Sequence, residues 1–204
     1  MPICPSLKYE KNLWEKGYKI IAGVDESGCG PWAGPVVAAA VILPPDKRIN
    51  KIRDSKYLSF QKRETLYQKI KKEALAVSVA SVEVEEIDKI GIRRASKKAM
   101  ELAVKKLKIK PDFILVDAWL LAFDLPQKAL IKGDQLCLSI AAASIIAKVE
   151  RDRLMFFWHR KYPQYHFDQH KGYGTSLHQK MLKRYGPCAI HRRSFAPIKK
   201  LLSK

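Results

Sequence analysis

Residues 23–43 read GVDESGCGPWAGPVVAAAVIL. Two apolar runs, IIAGVD at 20–25 and VVAAAVIL at 36–43, flank a turn rich in glycine and proline. Short apolar runs bounded by such turn residues predict two buried strands. The first strand ends in adjacent carboxylates, Asp25 and Glu26. The turn is not a dinucleotide fingerprint, because its third glycine comes one residue late and a strand follows it. It is not a Walker loop either, since no Gly-Lys-Ser/Thr closes it. One reading is a tight strand connection. The other is a backbone, bare at Gly28 and Gly30, that approaches a sugar–phosphate closely.

Outward from this stretch the pattern alternates. Asp54-Ser55-Lys56 opens a loop, and residues 60–72 predict a basic helix with Phe60, Leu66, Tyr67 and Ile70 as its apolar positions. Residues 74–84 alternate as a third strand, and helical spacing predicts one helix from about Ile87 to Lys108. After Pro111, residues 113–117 (FILVD) form an apolar strand ending in Asp117, and a further short strand is expected around Ala129–Lys132. Residues 138–158 predict a long helix whose Ala-rich first half suits close packing on a sheet. Beyond Pro163 only short helical pieces and loops are expected. The result is an α/β sheet domain over 1–160 and a helical substrate-binding segment over 161–204 packed on it.

Charge narrows the function. Lys and Arg number 39 against 20 Asp and Glu, a formal +19 over 204 residues. Residues 151–204 hold 13 basic and 2 acidic side chains, more than half the excess, with all five histidines. Trp158, Tyr162, Tyr165, Tyr173 and Tyr185 lie among them. Cations with interleaved aromatics point to nucleic acid rather than to an ordinary neutral metabolite, and to affinity that falls steeply with salt. The apolar fraction excludes disorder, and no run is long and apolar enough for a membrane span. No secretory segment is read at the N-terminus. Cys4, Cys29, Cys137 and Cys188 form no CxxC pair, which argues against zinc and fits the reducing cytoplasm.

Four carboxylates stand out: Asp25, Glu26, Asp117 and Asp134, the last in Lys132-Gly133-Asp134. A single strand-end Asp more often caps a turn. Several at the mouths of buried strands are expensive unless solvated, hydrogen-bonded or bound to a cation. Hard oxygen ligands select Mg²⁺ or Mn²⁺, and two such ions suit phosphodiester hydrolysis. Adjacent strand residues face opposite sides, so Asp25 and Glu26 share a site only where the strand ends or bends. In His170-Lys171-Gly172-Tyr173-Gly174-Thr175, glycines present a tyrosine that can stack on a sugar lacking a 2′-hydroxyl, while Lys171 meets a phosphate.

Taken together, the stretches 23–43, DSKYLS (54–59), ILVDA (114–118), KGDQLCLSIAAASIIAKVERD (132–152), PQY through QHKGYGT (163–175) and HRRSF (191–195) resemble the ribonuclease HII family. The resemblance implies an RNase H-like fold: a mixed five-stranded sheet with flanking helices and a helical C-terminal part. It implies an Mg²⁺- or Mn²⁺-dependent endonuclease for RNA–DNA hybrids and ribonucleotides embedded in duplex DNA, leaving 3′-hydroxyl and 5′-phosphate ends; nothing in the sequence points beyond a monomer. The family's four acidic residues fall on Asp25, Glu26, Asp117 and Asp134, its junction-sensing tyrosine on Tyr173, and its phosphate-side lysine on Lys56. The family's sugar-sensing turn falls on Gly28, Cys29 and Gly30, with Cys29 where Arg is usual. That departure opens an alternative, the same chemistry with a preference for longer ribonucleotide stretches. A catalytically inactive binding protein would lack one of the acids, and a transposase or integrase would need more chain.

Overall fold

The computed structural model describes residues 5–45 and 58–203. Helix α1 (Lys8–Glu15) leads into β1 (Ile21–Ser27) and β2 (Val36–Ile42), which pair antiparallel. Helix α2 (Phe60–Glu73) and β3 (Ala76–Val82) follow, then α3 (Val84–Ile90), α4 (Ile92–Lys105), β4 (Phe113–Asp117) and β5 (Gln127–Leu130). The mixed sheet has five strands in the order β3-β2-β1-β4-β5, with β4 parallel to both its neighbours. After the short α5 (Gly133–Leu136) comes α6 (Leu138–Lys161), then a 3-10 turn (Pro163–Tyr165), α7 (Phe167–His170), α8 (Ser176–Tyr185) and α9 (Ala196–Leu202).

Alternation in the strands supplies both faces of the sheet. Ala22, Val24, Ala38, Ala40 and Ile42 pack on Ala95, Ala99, Met100 and Ala103 of α4. Ala39 and Val41 pack on Ala141, Ala142, Ile145 and Ile146 of α6, with Leu66, Tyr67 and Ile70 of α2 outside them. The small residues of α6 allow a close approach: a Cβ on Gly23 would lie 2.2 Å from the Ser139 carbonyl carbon. The N-terminus of α6 is closed by Glu10 of α1, whose carboxylate accepts from Ser139 N–H at 2.8 Å, favourable at the positive end of the helix.

Three expectations are corrected. The single helix over 87–108 is two, because Gly91 adopts φ 81° and turns the chain. That break lets Val84 join the C-terminal apolar cluster while Ile87 and α4 line the sheet. Phe60 is exposed and meets Phe156 edge-on at 6.3 Å instead of joining the core. Tyr165, placed among the surface aromatics, is buried, stacks on Phe167, and donates its hydroxyl to Gly186 O at 2.6 Å. The C-terminal elements bury Phe167, Met181, Leu182, Ile190 and Ile198 against Ala33, Val84 and Met155. Among the described residues no helix is long and apolar enough to cross a membrane.

Candidate active site

The site forms at the carboxyl ends of β1 and β4, the side on which open parallel sheets bind ligands. The two strands run in register to the pair Val24–Val116, one residue short of Asp25 and Asp117. Asp25 faces α6 and shares a hydrogen bond with Ser144. Glu26 lies on the α4 side, where Cys29 Sγ approaches Glu26 Oε1 at 3.3 Å and Ser96 Oγ at 3.1 Å. Contrary to expectation, strand β1 neither ends nor bends at the two acids but keeps its pairing with β2 through Ser27, so they leave opposite faces and Glu26 reaches Asp25 through its charge. The chain after β5 folds back, so that Gly133 N–H donates to Asp117 Oδ1 at 2.6 Å. Asp134, the next residue, is buried.

Burial pushes the Asp25 carboxyl well above its ordinary range, and the charges of Glu26, Asp117 and Asp134 push it further. The charges of three acids thus reach the Asp25 carboxyl from β1, β4 and α5. Among the described residues, no three His, Cys, Asp or Glu side chains lie close enough together to hold a metal ion. The donor chemistry nevertheless fits a hard divalent cation: an all-oxygen set whose members repel until a positive charge lies between them.

Beside the acids, the glycine turn and the 170–175 turn are fastened backbone to backbone. Trp32 N–H donates to Gly172 O at 2.8 Å, and Gly174 lies beneath the Trp32 ring. A Cβ on Gly30 would lie 3.7 Å from Tyr173 Cε1, so the exposed Tyr173 ring borders the turn. Lys171 donates to Asp168 O and holds its ammonium 4.2 Å from the Phe156 ring centre. The Cys29 thiol is pushed up to about 12 by burial and by Glu26, and stays neutral. Lys56 lies outside the described residues.

Sequence reasoning missed two fully buried arginines that build this turn. Arg192 donates to the carbonyls of Gly28, Cys29, Pro31 and Gly34 at 2.7–3.2 Å. Arg151 donates to Ala33, Pro35 and Lys171 carbonyls at 3.1 Å each. Burial and the neighbouring Arg151 lower Arg192 to about 9, still charged at neutral pH. In a trans peptide the N–H points opposite the C=O. Holding the Gly28 and Cys29 carbonyls inward therefore turns the Cys29 and Gly30 N–H groups outward. The signal was present as runs of basic residues, but nothing local distinguishes an inward Arg from a surface one.

Histidines were missed likewise. His170 is buried and accepts from Gly172 N–H at 3.1 Å. Cys188 N–H donates to His191 Nδ1 at 2.9 Å, and His191 Nε2 meets His178 Nε2 at 2.9 Å. The consistent proton order runs from His191 Nε2–H to His178 and from His178 Nδ1–H to Tyr173 O, at 2.9 Å. Burial lowers His178 to about 4 and His191 to about 3, so the neutral chain that props Tyr173 persists at pH 7.

The profile of the ribonuclease HII family matches residues 22–198. The chain belongs to the ribonuclease HII family. A ribonuclease HII of Syntrophus aciditrophicus (strain SB) is 54% identical over 92% of this chain and 89% of its own length. The crystal structure of the ribonuclease H2 from Pyrococcus horikoshii OT3 matches with TM-score 0.78 and 29% identity, covering 90% of this chain and 97% of that one. Bst-RNase HIII in complex with Mn²⁺ shares the fold at TM-score 0.69 and 20% identity, over 90% of this chain and 69% of that one. As a ribonuclease HII, the chain is a type 2 ribonuclease H, a divalent-metal-dependent hydrolase.

Proposed function

We propose that this ribonuclease HII cuts the RNA strand of RNA–DNA hybrids and also cuts at single ribonucleotides embedded in duplex DNA, leaving 3′-hydroxyl and 5′-phosphate ends. The observation that supports the reading is that the charges of Glu26, Asp117 and Asp134 all reach the buried Asp25 carboxyl, beside a glycine turn bordered by Tyr173. Asp25, Glu26, Asp117 and Asp134 would hold Mg²⁺ or Mn²⁺. Bound there, such an ion supplies the charge that activates water and neutralises the leaving oxygen. Ser144 orients the Asp25 carboxylate, and Gly133 N–H orients that of Asp117. The outward N–H groups of Cys29 and Gly30 would meet the ribose 2′-hydroxyl, and Tyr173 would pack on the deoxyribose beyond it. Lys171 and Lys56 serve the phosphates.

The test is cleavage of a duplex carrying one ribonucleotide, with Mg²⁺ and with Mn²⁺, and with the cut position and end groups mapped. Cutting that needs no divalent ion, or falls away from the ribonucleotide, overturns the reading. Asp134→Asn is expected to lose about a hundredfold or more in cleavage while hybrid affinity changes less than threefold; gel-shift and single-turnover assays check both. Tyr173→Ala is expected to reduce discrimination between an RNA–DNA junction and continuous RNA by roughly tenfold, since stacking on one unit is worth about 1–3 kcal/mol.

One observation favours a second preference. The neutral Cys29 thiol turns to Glu26 and Ser96 and brings no cation to the turn. Paired substrates with one and four ribonucleotides decide it: faster cutting of the longer stretch establishes that preference.

A further inference from the structure

Two residues of α1 are buried, Glu10 and Leu13, three positions apart on one face. Leu13 packs with Leu130, Cys137 and Ile140 at the junction of α5 and α6. Glu10, 1% exposed, reaches into that junction. Its Oε1 accepts from Ser139 N–H at 2.8 Å and from the Cys137 thiol at 3.1 Å. Ser6 adds a backbone pair: its N–H donates to Leu136 O at 3.2 Å, and its carbonyl accepts from Leu138 N–H at 3.1 Å. Each residue from Leu136 to Ser139 is thus held by the N-terminal segment.

The first turn of α6 depends on this help. Cys137 stands at the N-cap and brings no oxygen to the N–H groups of that turn. A buried acid is costly to desolvate, and Glu10 supplies the missing oxygen from a different element. What the junction holds is the backbone of the site. Gly133 is pressed between α6 and β4: a Cβ there would lie 2.7 Å from Ile140 Cδ1 and 3.3 Å from Asp117 Oδ1. Cys137 N–H closes back on Gly133 O at 2.8 Å, and Asp134 follows Gly133 directly. A first turn that slides or frays therefore takes Ile140 off Gly133. With Gly133 goes the N–H that orients Asp117 and the chain that carries Asp134.

We infer that Glu10 is a positioning residue for the active site: its Oε1 pegs the first turn of α6 and, through Ile140 and Gly133, sets where Asp134 stands relative to Asp117. This rests on the reading of Asp134 as a metal-holding acid. It adds to that reading a residue of the N-terminal helix that touches neither metal nor substrate and acts by reach rather than by charge.

The experiment compares Glu10→Ala, Glu10→Gln and Glu10→Asp with the parent chain. Mn²⁺ is titrated into each free chain and read by electron paramagnetic resonance, and hybrid cleavage is split into kcat and KM. Glu10→Ala is expected to bind Mn²⁺ roughly tenfold more weakly and to lose roughly tenfold in kcat, the scale of removing a support behind a ligand. KM for the hybrid should change by less than about twofold, since no substrate contact is lost. Glu10→Gln keeps an oxygen for Ser139 N–H and should restore both values. Glu10→Asp keeps the charge but withdraws the oxygen by one carbon, and should behave as Glu10→Ala does. Leu107→Ala, a core change beyond the C-terminus of α4, should lower the melting temperature and leave both values unchanged.

A Glu10→Ala chain that melts lower yet binds Mn²⁺ and turns over as the parent does overturns the inference, as does Leu107→Ala with the same losses. Glu10→Gln as weak as Glu10→Ala also overturns it, because charge and not reach would then hold the turn. Should Glu10→Ala not fold, the Gln and Asp variants decide between them. A parent chain that binds no Mn²⁺, or an Asp134→Asn chain that binds and cuts as the parent does, overturns the ligand reading of Asp134 and the inference with it.

Discussion

Asp25→Asn is expected to lose about a hundredfold or more in cleavage and yet to melt at a higher temperature than the parent chain. The first effect follows from removing a buried carboxylate proposed to hold the metal ion, since loss of one charge-stabilising group typically slows the reaction by about 100–1000-fold. The second follows from what that charge does in the folded chain. Burial and the like charges of Glu26, Asp117 and Asp134 raise the Asp25 carboxyl well above its ordinary 3.8. Between 3.8 and the raised folded value, the native chain binds a proton that the unfolded chain has released. Stability contributed by this group is therefore present below the ordinary value and falls as pH rises through the folded value. The amide of Asn still accepts from Ser144 and carries no charge, so its melting temperature escapes that fall. The two chains should melt together at pH 3 and separate toward neutral pH, with the variant higher. Added Mg²⁺ should narrow the gap by stabilising the parent more than the variant. Melting curves that stay superposed across this range would show that Asp25 is not repelled by its neighbours.

Gly23→Ala is expected to be the most damaging single methyl group in the chain. Its Cβ would lie 2.2 Å from the Ser139 carbonyl carbon and 2.5 Å from the Ile140 nitrogen. These are backbone atoms of α6, which no rotamer change can move, so the helix itself must retreat from β1. Overpacking of this kind lies at the upper end of single-residue effects, about 4 kcal/mol. For a chain of this size that lowers the melting temperature by roughly 10 °C. The lesion should also reach the chemistry, because Gly23 and Asp25 share the face of β1 on α6 that brings Ser144 to Asp25. Residual folded protein should therefore cut more slowly as well. A Gly23→Ala chain that melted within a degree or two of the parent would mean that α6 yields freely.

Much of this was legible because local pattern and tertiary role coincided. The apolar runs at 20–25, 36–43 and 113–117 read as buried strands, and an acid at the end of such a run is costly enough to mark itself. The helix break at Gly91 was not legible, since helical spacing continues through 84–105 and one glycine is tolerated within a helix. Tyr165 reads as one of the aromatics interleaved in the basic 151–204 stretch. Its burial depends on Phe167 and Gly186, which the fold supplies.

The sequence by itself determined the strand–helix alternation, the basic C-terminal quarter, and which acids and which tyrosine to watch, because periodicity, charge and burial cost are properties of neighbouring residues. Only the tertiary structure decided that Arg192 and Arg151 turn inward to hold the glycine turn, that two histidines prop Tyr173, and that Glu10 reaches the first turn of α6. Those partners lie up to 164 positions apart along the chain. Whether a cation faces water or a carbonyl is set by what the fold brings beside it.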